Sequence, residues 1–320
     1  MTHLHKRGAA ALITAATLTL ALLFTGCPNS AGGSGGGTTP PTPPPENKTY
    51  TVGGVQFTMK GIAAVTDGTV GHGDHSANNA PHTVRLSAYR IGETEVTQEL
   101  WEKVMGTNPS YFQGSSNPPE SGEVQEKRPV ENVNWYQCIA FCNKLSKLCN
   151  LDPCYTVTGI NFDALNFSDI PTSNNTNWNN AVCDRSKNGF RLPTETEWEW
   201  AAKGGKDYKW AGTNEQAQLV NYAWYDANSG NKTHQVKLKS ANGYGLYDMS
   251  GNVWEWCWDW YGNFSYPLPA DYAGAASGGN RVRRGGSWSN GADSAARAYR
   301  FYYYPGNRYV NLGLRLVSRP

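Results

Sequence analysis

The chain has 320 residues, among them 35 glycines, 18 prolines and 12 tryptophans, while charged residues make up only 17%. That length fits one large domain or two small ones, and the mixture argues against a helical bundle and for a loop-rich globular domain with a heavy aromatic core. Its 28 basic and 26 acidic residues balance once Lys6 and Arg7 of the leader are set aside, so the charge does not suggest nucleic acid or an anionic membrane surface as partner.

Lys6 and Arg7 precede an apolar run, Ala9 to Phe24, that closes on Thr25-Gly26-Cys27. A basic start, a short apolar stretch and small residues before a cysteine make residues 1–26 a secretory signal. The pattern resembles a bacterial lipoprotein lipobox, with Phe24 where leucine is more usual, and it implies lipidation of Cys27. A plain signal peptide with an incidental cysteine is the alternative. The run is shorter than the ~20 residues a membrane-spanning helix needs. Residues 27–48 carry that cysteine and a Gly, Ser, Thr and Pro tether, which cannot bury enough apolar surface to order itself. Lipid and spacer together would hold a domain at the bacterial cell envelope; the expected location is the outer-membrane surface, the sequence leaving a periplasmic-facing leaflet as the alternative.

Residues 49–320 read as a single domain. Tyr50–Met59 predicts an opening strand with Gly53-Gly54 as turn or bulge, and His82–Tyr89 alternates as a strand. Thr66–Ala80 between them reads as a polar loop. Its His72 and His75 lack the helical geometry that would make three-apart histidines a metal pair. Thr97 caps a helix with face Leu100, Trp101, Val104 and Met105 that ends at Gly106. Asn134 and Gln137 form a capping box before Cys138, Ile139, Cys142, Leu145 and Leu148, and Thr194 with Glu197 forms another before a short helix ending at Gly204-Gly205. Leu151–Lys187 reads as an elaborated loop.

Six cysteines follow Cys27, which permits up to three disulfides in an exported protein. Cys154 with Cys183, flanking the Asn/Thr-rich excursion, is the preferred bridge. Cys138 and Cys142 sit one helical turn apart and read as small buried apolar groups. The spacings do not match a zinc site. Further on, Trp254, Trp256, Trp258 and Trp260 alternate with Glu255, Cys257 and Asp259, so a strand would put the indoles on one face and the polar groups on the other.

In residues 281–320, Arg284-Gly285-Gly286-Ser287-Trp288 and Leu312-Gly313-Leu314-Arg315 bracket Phe301-Tyr302-Tyr303-Tyr304 and Tyr309-Val310-Asn311. Four consecutive aromatics follow neither strand nor helix periodicity, and in extended chain about half of them face away from any core. Tyr, Ser, Gly and Asn between fixed flanks is the composition of a binding loop, which offers amphipathic contact area with few torsions to freeze. A Tyr-rich strand pair packed on the domain is the alternative.

Arg191-Leu192-Pro193-Thr194-Glu195, Gly245-Leu246-Tyr247-Asp248-Met249 with Gly251-Asn252-Val253-Trp254-Glu255-Trp256, the Arg-Gly-Gly-Ser-Trp block and Gly313-Leu314-Arg315 together resemble the formylglycine-generating enzyme (sulfatase-modifying factor) domain. The resemblance implies an α+β, C-type-lectin-like fold of the formylglycine-generating-enzyme type, loop-rich and single-domain. Enzymes of this family oxidise a substrate cysteine with a cysteine pair after the Gly-Gly-Ser block. Here no cysteine follows Cys257, so that thiolate chemistry is not available.

The chain also resembles a non-enzymatic branch of the fold, the variable proteins of diversity-generating retroelements, and most of all its lipid-anchored treponemal members. That resemblance implies a retroelement-diversified ligand site at Ser289, Asn290, Gly291, Asp293, Ser294, Tyr299, Phe301, Tyr302, Tyr303, Tyr304, Gly306, Asn307, Tyr309, Val310 and Asn311. Ala292, Ala298, Arg300, Pro305 and Arg308 are implied scaffold. The expected function is a non-catalytic, surface-anchored binding protein, its ligand a protein or other macromolecule on a host or neighbouring cell. An exported oxidoreductase or other enzyme on the same scaffold is the alternative. No cofactor is required. The family resemblance also implies a structural calcium held by Asp248 and Glu255 and the carbonyls of Gly251 and Val253, the alternative being that Glu255 pairs with an arginine beneath the Trp strand.

Overall fold

The computed structural model describes residues 42–320; Cys27, the signal segment and most of the tether lie outside the described residues. One sheet runs β1 (Lys48–Val52), β2 (Val55–Ile62), β5 (Tyr89–Gly92), β13 (Val317–Ser318) and β8 (Phe190–Arg191), all pairs antiparallel. The end of the chain is thus clamped between strands laid down much earlier. The second sheet runs β11 (Phe301–Tyr303), β10 (Arg281–Arg284), β9 (Trp254–Trp260) and β12 (Leu312–Gly313), with β12 parallel to β9. Two ribbons complete the strands, β3 (Val65–Val70) with β4 (His82–Leu86), and β6 (Tyr155–Thr156) with β7 (Val182–Cys183).

Gly53 and Gly54 take φ of 55° and 85°, which lets a two-residue turn close β1 on β2 with Val52 opposite Val55. The fold starts slightly before the expected boundary, because the Glu46 carbonyl accepts from Arg90 Nε (2.8 Å) and Asn47 Oδ1 from the Gly61 amide (3.0 Å).

Local punctuation made the three long helices readable. In α2 (Gln98–Met105) Thr97 accepts from the Leu100 amide, and Gly106 closes the helix at φ 72°. In α3 (Trp135–Leu148) the Asn134–Gln137 capping box forms, as does the Thr194–Glu197 box of α5 (Glu195–Lys203). Single helical turns, α1 (Ser76–Asn79) and α4 (Thr176–Asn179), sit in segments read as loops, and Val65–Val70 is a strand where a loop was expected. Pairing with β4 stabilises β3, and such long-range pairing leaves no local signal.

The strand expected at the Trp run forms, and one expectation, the disulfide, fails for a geometric reason. The Trp strand buries both faces: Glu255, Cys257 and Asp259 are as enclosed as Trp254 and Trp256. β9 lies inside its sheet with α5 against it, so the polar residues find partners instead of water: Glu255 meets Arg315 (2.7 Å) and Asp259 accepts from the Glu195 amide (2.9 Å). The Cys154–Cys183 bridge does not form, and both cysteines are free. Cys183 stands opposite Tyr155 while Asp184 bonds to the Cys154 carbonyl (2.8 Å), so the two cysteines are one step out of register and face opposite sides of the ribbon.

Candidate functional site

The C-terminal segment is held from behind by acids on α5. Glu195 and Glu199 are four residues apart, which stacks their carboxylates on one face of the helix. Glu195 receives Arg300 through Nε and a terminal nitrogen (both 2.7 Å) and Arg284 (3.1 Å). Glu199 receives Arg284 (2.6 Å) and Arg297 (3.2 Å). All five side chains are buried. Burial would raise the Glu199 carboxyl, but the Arg284 and Arg297 guanidiniums outweigh it and hold it below its ordinary range. A buried carboxylate in this position fixes geometry more than it adds stability, since each ion gave up its hydration to be there.

In front of that lattice, β11 lies along β10 with Arg283 opposite Phe301, Val282 opposite Tyr302 and Arg281 opposite Tyr303. β11 is an edge strand, so its outer side is open. Phe301, Tyr302, Tyr304 and Tyr309 are 36%, 39%, 60% and 42% exposed, so the run pairs as a strand yet keeps these rings at the surface. The rings support one another. Tyr299 and Phe301 stack at 6.1 Å, Phe301 and Tyr302 at 5.3 Å, Tyr302 lies 4.4 Å from Tyr261, and Tyr303 meets Tyr309 edge-on at 4.7 Å with their hydroxyls bonded.

Backbone bonds fasten the intervening loop to the entry of α3. The Trp135 amide donates to the Pro305 carbonyl (3.0 Å), the Asn132 amide to that of Tyr309 (2.8 Å), and Asn134 Nδ2 to that of Gly306 (3.2 Å). Trp288 Nε1 donates to the Val310 carbonyl (3.1 Å), Trp254 Nε1 to Asn290 Oδ1 (2.8 Å), and Asn311 Nδ2 to Ser289 Oγ (3.0 Å). The segment therefore has a fixed course without burying its own side chains.

Of the expected ligand residues, Ser289, Gly291, Asp293, Phe301, Tyr302, Tyr304 and Tyr309 are exposed, and Asn290, Ser294, Tyr299, Tyr303, Asn307, Val310 and Asn311 are half-buried beside them. Gly306 does not belong with them. It is buried, and a Cβ there would lie 2.6 Å from the Ser173 carbonyl carbon. At Gly291 a Cβ would meet nothing nearer than Asp226 Oδ2 at 3.6 Å, so that position has room. Among the implied scaffold residues Ala298, Arg300 and Pro305 are buried and Ala292 is half-buried, but Arg308 is exposed. It makes no hydrogen bond or ion pair to a carboxylate or carbonyl among the described residues.

Two contributors were missed in the sequence. Trp254 supplies the wall under Tyr299 and Phe301, at 6.1 and 6.0 Å. Arg283 places its guanidinium 4.7 Å from the Trp254 ring, 5.0 Å from Phe301 and 5.3 Å from Tyr303. Burial pulls its pKa down to about 10, and the groups opposing that are the Tyr303, Tyr309 and Tyr299 hydroxyls, not carboxylates. Its alternation with Arg281 hinted at a shared strand face, but only the β10–β11 pairing brings it under the aromatics.

Glu255 does not fit the implied calcium set, while Asp248 keeps one buried oxygen, Oδ1, without a partner. Both Glu255 oxygens accept from Arg315 (2.7–3.0 Å), and Oε2 also accepts from Trp198 Nε1 (2.6 Å). The arginine alternative is the one observed, since the guanidinium supplies the positive charge a calcium ion would bring. Asp248 Oδ2 accepts from the Lys237 amide (2.9 Å), and burial pushes its carboxyl up to about 6. No cluster of metal-ligating side chains occurs among the described residues.

The described thiols are poorly disposed to react. Burial raises all of them: Cys149 and Cys154 to about 11, Cys183 to about 12, and Cys138, Cys142 and Cys257 well above the ordinary range. Each is therefore a protonated thiol at neutral pH.

The profile of the sulfatase-modifying factor enzyme 1-like domain matches residues 46–320. The solved structure of Treponema denticola variable protein 1 is 61% identical with a TM-score of 0.83, covering 86% of this chain and 100% of that one. The chaperone protein LppX of Paenibacillus barcinonensis is 35% identical over 254 residues, 73% of this chain and 81% of its own length. The formylglycine-generating enzyme of Thermomonospora curvata is 39% identical over 132 residues, 35% of this chain and 42% of its own length, so the chain spans less than half of that enzyme.

Proposed function

The chain belongs to the sulfatase-modifying factor enzyme family, and on that footing we propose that it is a binding protein rather than a catalyst. It has the family's loop-rich α+β, C-type-lectin-like fold and the scaffold of a variable protein. In this reading Cys27 is lipidated, residues 27–48 hold the domain off the outer-membrane surface, and residues 289–311 grip a protein or other macromolecule of a host or neighbouring cell. A retroelement rewrites the exposed positions. Gly306 is constant because its neighbour leaves no space, and Arg308 is open to change.

The observation that carries the reading is the array of exposed Phe301, Tyr302, Tyr304 and Tyr309 on a backbone pinned by buried Arg284, Arg297 and Arg300. Large aromatics cost free energy in water, and their exposure on a rigid support is a feature of interaction surfaces. The protonated thiols, and the lack of any cysteine after Cys257, support the non-catalytic half of the reading.

Sequencing the 3′ end of the gene across many isolates tests the diversification. Substitutions should cluster in the codons of the exposed positions, Tyr302, Tyr304 and Tyr309 among them, arise from template adenines, and spare Gly306 and Arg300. Substitutions spread evenly along the gene would sink it. Anchoring is tested separately: Cys27→Ala should move the protein from the membrane to the soluble fraction, because acyl chains supply about 0.8 kcal/mol per buried methylene. Unchanged partition would exclude lipid as the anchor.

A further inference from the structure

Arg283 and Trp254 lie outside the positions assigned to diversification, yet both lie directly beneath the aromatic face. The guanidinium is enclosed by Trp254, Phe301 and Tyr303 at 4.7–5.3 Å, and its Nε–H has no hydrogen-bond partner. The Nε–H groups of Arg281 and Arg284 are unpartnered as well, but their terminal nitrogens are answered by the protein, Arg284 (like Arg297 and Arg300) by carboxylates and Arg281 by the carbonyls of Trp258 (2.6 Å) and Asn179 (3.0 Å), whereas the Arg283 guanidinium makes no hydrogen bond or ion pair among the described residues. Ring faces attract a cation but cannot accept its N–H groups in the plane of the fork, where a carboxylate would bind. Arg308, exposed and next to Tyr309 in the chain, adds a second positive charge. The acid of the segment, Asp293, already lies 3.6 Å from Lys209.

We propose that the aromatic face takes an acidic protein segment, with Arg283 as a constant anion-binding point beneath whichever residues the variable positions supply. This rests on the binding-site reading above. A half-buried guanidinium with no protein acceptor for its nitrogens gains most from a charged acceptor, so the preference for carboxylate is built into the fixed part of the site. The surrounding tyrosines add contact area and shape, which diversification alters without removing the charge preference.

The test is selection of a random dodecapeptide library on the full mature protein and, in parallel, on a Tyr302→Ser, Tyr304→Ser, Tyr309→Ser variant. Peptides lost on the variant are those that use the aromatic face. Asp and Glu should be enriched among them, and their affinity should fall at least about tenfold with Arg283→Gln, the loss expected of a charge-assisted hydrogen bond. If Arg283→Gln does not fold, the same comparison runs from the partner's side, with each Glu of a selected peptide changed to Gln and the protein untouched. Face-dependent peptides that are neutral or basic, or that ignore both changes, overturn the acidic partner and leave the binding face standing. If no peptide depends on the tyrosines, both readings fail.

Discussion

Two neighbouring stretches of the same segment obey opposite rules. Arg297 and Arg300 are wholly buried and locked to Glu199, Asp207 and Glu195, whereas Tyr302 and Tyr304 stand on the surface with little beyond their own neighbours to hold them. The first stretch determines where the backbone goes and the second what it presents. A protein can change the second freely only because the first does not depend on it. The contrast is sharpest between two glycines: Gly306 packs against the Ser173 backbone, and Gly291 opens to space.

The largest effects should come from the pinned half. Glu199→Ala leaves Arg284 and Arg297 buried without their shared carboxylate and should cost about 3–5 kcal/mol in urea unfolding. Trp256→Ala, which empties a fully buried site whose indole donates to the Val133 carbonyl (3.1 Å), should cost a similar ~3–5 kcal/mol. A loss near zero for Glu199→Ala would mean that the lattice does not hold the segment, and one for Trp256→Ala that the Trp strand is not core. A middle-sized effect separates the glycines. Gly306→Ala forces the Ser173 backbone to move and should cost about 1–3 kcal/mol, while Gly291→Ala should stay within about 0.5 kcal/mol. Equal outcomes would erase the distinction between fixed and open positions.

What could be read in advance followed the range of the interactions. Thr97, Asn134 and Thr194 cap their helices through contacts three residues away, so the sequence showed them. The aromatic run was legible because its composition fits neither periodicity. The Glu195–Arg300 pair spans 105 residues and left no trace in local pattern, and Arg283 meets Phe301 only through strand pairing. The exposed Arg308 and buried Gly306 were misplaced for the same reason: burial at a loop depends on what another loop, here around Ser173, brings against it. The one-step register of β6 and β7, equally silent in sequence, decided against the Cys154–Cys183 bridge.

A small expected effect, at the exposed tyrosines, tests the central claim most directly. Tyr302, Tyr304 and Tyr309 replaced together by serine should lower stability by no more than about 0.5 kcal/mol each, as for surface side chains away from special features. The thermal melt of that triple variant should nearly overlay the parent's, while Trp256→Ala melts far below both. A fall for the triple variant as deep as that of Trp256→Ala would place the tyrosines in the core and remove the binding face from this account.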